Sequence, residues 1–262
     1  MPVDLNYLEI EPEGAETSPP LLIAHGLFGS ARNFGSLGRK LAANRRVILV
    51  DMRNHGDSPW DADVTYRAMA SDLAAVIEKC CNGKALVLGH SMGGKAAMAL
   101  ALTRPDLLDG VIVADIAPVA YAHTHQPFIK AMRALDLSGI DRRSQADPLL
   151  ADAIPEAPLR AFILQNLVIE DKKPRWRLNL AALDAGMPDL IGWESGLDER
   201  PFTGRALFLY GGASDYMTPL LQPRVREVFP RAEFETIPGA GHWLHAEKPA
   251  EFLDAVSGWL TG

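Results

Sequence analysis

The sequence predicts an α/β fold: a mostly parallel central sheet flanked by helices, with an inserted helical cap. Three observations predict it. Short, wholly apolar runs recur along the chain. Stretches with a helical period follow most of them. One long central stretch lacks that alternation. Runs apolar at every position suit strands covered on both faces, and strands alternating with helices suit a parallel sheet with right-handed crossovers.

Six runs read as strands: Pro20 to His25, Arg46 to Asp51, Ala85 to Gly89, Val111 to Asp115, Arg205 to Tyr210 and Glu233 to Ile237. Between them, Met69, Leu73, Val76, Ile77 and Cys80 share one helix face. Thr65 can cap that helix and Asn82-Gly83 can end it. An Ala- and Leu-rich helix spans Gly93 to Thr103 and is stopped by Pro105. The last helix starts at Pro249, a favoured first position, and places Phe252, Leu253, Val256, Trp259 and Leu260 on one stripe. From about Pro118 to Arg200 no strand signal appears, and helical stretches over 128–135, 159–169 and 178–185 are broken by prolines. The expected division is therefore a core of residues 1–117 and 201–262 with a helical cap over 118–200.

The chain's 262 residues suit one large domain with such an insertion, and 48% hydrophobic residues supply its core. A net charge of -7 without a long basic run gives nucleic acid and anionic membranes little to bind. No apolar run approaches a membrane span, and Met1 to Ile10 carries no secretory pattern. The two cysteines, Cys80 and Cys81, are adjacent, which disfavours a structural bridge. A soluble, cytoplasmic protein is expected.

The strongest motif is Gly89-His90-Ser91-Met92-Gly93, after a predicted strand and before a predicted helix. That context makes it a nucleophile elbow, in which a serine sits on a strained turn that only small neighbours permit. The helix behind it aims N-terminal amides at developing negative charge. A serine hydroxyl needs a base, and His242 stands in a glycine-rich loop past the sixth strand. His90 is expected to shape the elbow and His245 to be structural. His123 and His125 lack further ligands for a metal and are expected in a solvated loop.

The histidine needs an orienting carboxylate. Asp115 ends the fourth strand and Asp215 follows the fifth. Both keep the order Ser, acid, His, and position alone does not separate them. The oxyanion should meet the amide of Met92 and one from the glycine turn His25 to Gly29, with Leu27 favoured and Phe28 second. The turn Asp51 to Ser58 is expected to brace the elbow. Lys95 opposes the dipole of the helix it begins, and an acidic partner is expected nearby. With Phe28, the cap residues Phe128, Phe162, Ile163, Trp176 and Trp193 are expected to line the substrate's acyl pocket.

HGLFGS, DMRNHGDS, GHSMGGK, ADIAP and GAGHWLHAEKP together resemble the YbfF-type esterases of the α/β-hydrolase superfamily. The likeness runs from about residue 20 to the C-terminus and is weaker in the cap. It implies an α/β-hydrolase fold and a carboxylesterase acting on a small-molecule ester or acyl thioester, without metal or organic cofactor. It also favours Asp115, whose DIAP setting matches the family, over Asp215, whose setting fits the wider superfamily. A dehalogenase would place Asp at the elbow, so Ser91 argues against it. A cofactor-free perhydrolase, a carbon–carbon bond hydrolase and a non-catalytic small-molecule receptor share the arrangement and stand as alternatives.

Overall fold

The structure is a computed structural model that describes residues 1–262. Seven strands form the main sheet: β1 (Tyr7–Ile10), β2 (Leu21–Ala24), β3 (Val47–Val50), β4 (Ala85–His90), β5 (Leu108–Ala114), then, after an insertion, β8 (Ala206–Gly211) and β9 (Ala232–Ile237). The insertion supplies a separate hairpin, β6 (Leu167–Glu170) and β7 (Lys173–Trp176). The main sheet has the order β1-β3-β2-β4-β5-β8-β9. Only β1 runs antiparallel to its neighbour.

Side-chain alternation sorts the sheet into two faces. Leu22, Ala24, Ile48, Val50, Val87, Val111 and Val113 face α2 (Tyr66–Cys80) and α3 (Met92–Thr103) in the larger core. Leu21, Ile23, Val47, Leu49, Leu86, Leu88 and Ile112 face α1 (Gly35–Leu41) and α11 (Pro249–Thr261) in the smaller one. The apolar runs of the sequence are therefore continuous because both faces are covered. Thr65 caps α2 by accepting the Ala68 amide, as its position predicts.

Between β5 and β8 lie α4 (Gln126–Ala134), α5 (Arg143–Ala146), α6 (Ala157–Leu164), the β6–β7 hairpin, α7 (Leu180–Ala185) and α8 (Met187–Ile191). The remaining helices are α9 (Gln222–Val228) and α10 (Leu244–Glu247). The hairpin corrects the expectation that 118–200 holds no strand. Its turn residues Asp171 and Lys172 have φ of 50° and 59°, the pattern that suits a tight hairpin. Pro174 and the charges around it conceal a strand in the sequence. β1 also escapes the sequence pattern, because it is a short edge strand with no fully buried residue.

Crossing chains are packed tightly beneath the elbow. A Cβ on Gly89 would lie 2.2 Å from the Gly93 carbonyl oxygen, and one on Gly93 would lie 2.4 Å from the Ala24 carbonyl oxygen. These contacts press α3 against β2 and β4. No helix is long and apolar enough to cross a membrane. Gly93→Ala is expected to destabilise the fold by about 1–3 kcal/mol through overpacking against backbone, measured by urea unfolding.

Candidate active site

The carboxyl ends of β2, β4, β5 and β9 converge, and each delivers one element of the site. Ser91 follows β4 with φ 53° and ψ -117°, a strained conformation for a non-glycine residue. Its amide donates to the Ala114 carbonyl, and its own carbonyl accepts the Lys95 amide. The turn is therefore tied to β5 on one side and to α3 on the other.

His242 reaches Ser91 from the loop after β9. Its Nε2 lies 3.0 Å from Ser91 Oγ and its Nδ1 lies 2.7 Å from Asp115 Oδ2. Asp115 is fully buried at the end of β5, also at positive φ. Its Oδ1 accepts the Gly211 amide at 3.1 Å, and its Oδ2 accepts the Ser214 hydroxyl. Asp215 is exposed and makes no hydrogen bond or ion pair with His242, whose Nδ1 is turned to Asp115. Of the two candidate acids, Asp115 is the one brought to the imidazole.

Burial lowers the pKa of His242 below its ordinary 6.5, so the ring is neutral and able to accept a proton near pH 7. Burial raises that of Asp115, opposed by the hydrogen bonds from Ser214 and Gly211. Three donors on one carboxylate favour its ionised form, which fixes the Nδ1–H tautomer of His242.

Several residues that hold His242 have no clear sequence signal. Tyr216 stacks on the imidazole with ring centroids 3.7 Å apart and planes 18° from parallel. Glu247 of α10 accepts the amides of Gly241 and Trp243 on either side of the histidine. His90 Nε2 donates to the His242 carbonyl at 2.8 Å, so His90, a residue of the elbow, also ties down the loop that carries His242. His245 packs between Phe34 and His90, in the structural role expected of it.

The turn after β2 lies opposite. The Leu27 amide makes no hydrogen bond within the chain. The Phe28 amide, at φ 64°, donates to His55 Nε2 at 3.2 Å. Phe28's carbonyl accepts Asn166 Nδ2 from the insertion at 2.7 Å. Asp51 accepts the Ala31 amide at 2.8 Å and the Asp57 amide at 3.0 Å. The polar corner from Asp51 to Ser58 thus braces this turn rather than the elbow.

A cavity of about 150 Å³ opens over Ser91, with Phe28, His125, Phe128, Leu159 and Phe162 on its wall. An outer groove of about 1000 Å³ shares the residues Phe128, Leu159, Phe162 and Trp243 with it. His125 is half-buried there, not in a solvated loop, while His123 is exposed. Three expected lining residues lie elsewhere. Trp176 is buried in β7 with its indole donating to the Met132 carbonyl, Trp193 lies beside Tyr66, and Ile163 faces the core. On an amphipathic segment an apolar ring serves packing or a pocket equally well, and only the tertiary structure separates them.

Lys95 also departs from expectation. It is 1% exposed, and its ammonium donates to the carbonyls of Ile191 and Gly192 at the end of α8, not to an acid. The faces of Tyr66 and Tyr121 lie 5.4 Å and 4.8 Å away.

A serine, a histidine and a buried carboxylate in hydrogen-bonded series at the strand ends of such a sheet define a hydrolase of the α/β type. The chain belongs to the alpha/beta hydrolase family, whose model matches residues 21–255. It is a carboxylesterase-type hydrolase, similar to proteins bearing esterase and lipase names. It is 40% identical to the sn-1-specific diacylglycerol lipase ABHD11 of Mus musculus, over 100% of this chain and 86% of that one. It is 37% identical to Esterase YbfF of Escherichia coli (strain K12), over 98% of this chain and 99% of that one. Among solved structures, a marine microorganism esterase superposes with a TM-score of 0.91 at 36% identity, covering 98% of this chain and 99% of that one.

The depressed pKa of His242 sets the expected pH profile. In the role of base proposed below, the ring must be deprotonated to act, so kcat/KM is expected to fall on the acid side as it protonates. With its pKa lowered, that fall should have its midpoint below 6.5. A pH–rate profile on an uncharged ester measures it.

Proposed function

We propose that the protein hydrolyses carboxylic esters through a Ser91–His242–Asp115 triad and a covalent acyl-enzyme. The observation that carries this reading is the unbroken series from Ser91 Oγ to His242 Nε2, and from His242 Nδ1 to Asp115 Oδ2. His242 takes the Ser91 proton as Oγ attacks the carbonyl carbon, and returns it to the departing oxygen. Water then attacks the acyl-enzyme with His242 again as base. Asp115 holds the tautomer and stabilises the imidazolium without itself taking the proton. A thioester follows the same steps with a thiol leaving.

The oxyanion meets the amides of Leu27 and Met92. The Leu27 amide has no partner within the chain, whereas that of Phe28 is committed to His55. Residues 118–200 act as a cap that roofs the site. Their Phe128, Leu159 and Phe162, with Phe28, give the larger arm of the ester an apolar wall. The lipase and esterase names of the relatives support ester cleavage as the chemistry.

Ser91→Ala is expected to abolish turnover of 4-nitrophenyl butyrate and covalent labelling by a fluorophosphonate, with the fold intact by circular dichroism. Labelling that survives the substitution would place the nucleophile elsewhere. Asp115→Asn should lower kcat by about 10⁴-fold, as loss of the correct tautomer does. Asp215→Asn should leave it within about twofold, since an exposed carboxylate off the site contributes little. The reverse order in steady-state assays would transfer the acid's role to Asp215.

A further inference from the structure

The two ring nitrogens of His242 are taken by Ser91 and Asp115. One face of the ring is taken by Tyr216, with centroids 3.7 Å apart and planes 18° from parallel. Non-bonded carbons meet at about 3.5–4.0 Å, so the two rings lie over each other with almost no sideways offset. Two neutral aromatic rings disfavour that sandwich and prefer an offset or edge-to-face arrangement. A cation over an aromatic face is attracted by it. The arrangement therefore suits the imidazolium, the form that His242 takes only while it holds the Ser91 proton.

The chain holds Tyr216 in this place from several directions. Ser214 Oγ, which donates to Asp115, accepts the Tyr216 amide at 3.2 Å. The Tyr121 hydroxyl donates to the Tyr216 carbonyl at 2.7 Å and accepts the Ala117 amide at 2.9 Å. The Tyr216 hydroxyl lies 3.4 Å from His125 Nε2. The rings of His90 and Trp243 come within 4.9 Å and 5.7 Å of the imidazole, but they are tilted by 42° and 66°. Asp115 faces Nδ1, and Glu247 of α10 binds the backbone on either side of His242. The other titratable groups nearby are His90, His123, His125 and His245. Burial lowers the pKa of each, so they are neutral near pH 7. A positive charge that appears on His242 is thus met in the ring plane by Asp115 and across the face by Tyr216.

We infer that Tyr216 is a positioning residue whose ring, as the π partner of the His242 imidazolium, lowers the barrier to proton transfer from Ser91. As the bond from Oγ to the carbonyl carbon forms, the proton passes to Nε2 and its charge spreads over the ring that Tyr216 covers. When the departing oxygen takes that proton, the charge is gone. The attraction is made in the transition state and not in the ground state, so it raises kcat rather than tightening substrate binding. The His242 side chain is only 14% exposed, and such a pair is worth more where it is desolvated. The inference rests on the Ser91–His242 reading above. Its rival is that the Tyr216 ring only packs against His242 and keeps it from swinging.

The test changes the electrons of the ring and keeps its shape. Tyr216→Phe and Tyr216→Leu are compared with chains carrying mono-, di- or trifluorinated phenylalanine at this position. Fluorine withdraws charge from the ring face at nearly constant volume. Turnover of 4-nitrophenyl butyrate gives kcat, KM and the acid-side midpoint of kcat/KM. Tyr216→Phe, which keeps the ring, should recover most of the kcat that Tyr216→Leu loses. Added fluorine should then lower kcat in steps, to about tenfold below Tyr216→Phe for the trifluoro ring, with KM within about twofold. The acid-side midpoint should fall in parallel, by about one pH unit for the trifluoro ring, because an imidazolium without its partner releases its proton more readily. A flat fluorine series would overturn the proposal, since packing alone does not respond to ring charge. So would a Tyr216→Phe enzyme no better than Tyr216→Leu, which would give the role to the hydroxyl. If Tyr216→Leu does not fold, the fluorine series decides by itself. Turnover that persists in Ser91→Ala would instead sink the nucleophile assignment, whatever the series shows.

Discussion

Everything at the centre of this molecule depends on how closely three backbones approach beneath Ser91. β4 enters the turn, α3 leaves it, and β2 passes alongside. Gly89 and Gly93 have no room for a side chain, because the nearest atoms are carbonyl oxygens that cannot move aside. The turn in turn forces Ser91 to positive φ and lifts its hydroxyl above the sheet's edge. β5 and β9 then need only to end at the same edge for Asp115 and His242 to fall into series with it. The local strain is held by the two covered faces of the sheet, whose apolar residues form cores on both sides.

The interior around the site is built largely from uncharged groups. His25, His55, His90 and His245 are all buried, and burial lowers the pKa of each. They act as neutral hydrogen-bonding or stacking pieces. His25 accepts the Met52 amide at 2.9 Å, His55 accepts the Phe28 amide, and His90 donates to the His242 carbonyl. Against that background the charges that remain stand out. Asp115 is surrounded by three donors from two chain segments, the end of β8 and the loop after β9. Lys95 has only carbonyls and aromatic faces. A low-dielectric surrounding makes both charges matter more than they would in water.

Much of this was legible in the sequence, for identifiable physical reasons. Five of the six strands read from the sequence show as apolar runs because buried parallel strands have no polar face, whereas β9 is an edge strand with Glu233, Glu235 and Thr236 exposed. The elbow shows because its geometry demands glycine at fixed spacings from serine. His242 shows because a glycine-rich loop after a late strand has few other uses. The acid was harder. Asp115 and Asp215 stand in equivalent places in chain order, and only the reach of the imidazole separates them. Resemblance, not spacing, favoured Asp115. β1 and the β6–β7 hairpin were hidden because edge strands and exposed hairpins carry polar and charged residues. Tyr216 and Glu247 position His242 through long-range geometry that leaves no local pattern. Lys95 was noticed as an oddity, but its surroundings come from a helix about a hundred residues away, so its partners could not be read.

Phe28 has an unusual place in this architecture. Its amide is held by His55 of the core, and its carbonyl by Asn166 of the inserted segment. One peptide-length stretch beside Ser91 is thus gripped from below by one part of the chain and from above by another. A displacement of the inserted segment at Asn166 is therefore passed to the turn that carries the Leu27 amide, so under the proposed mechanism the position of the insertion and the aim of that donor are linked.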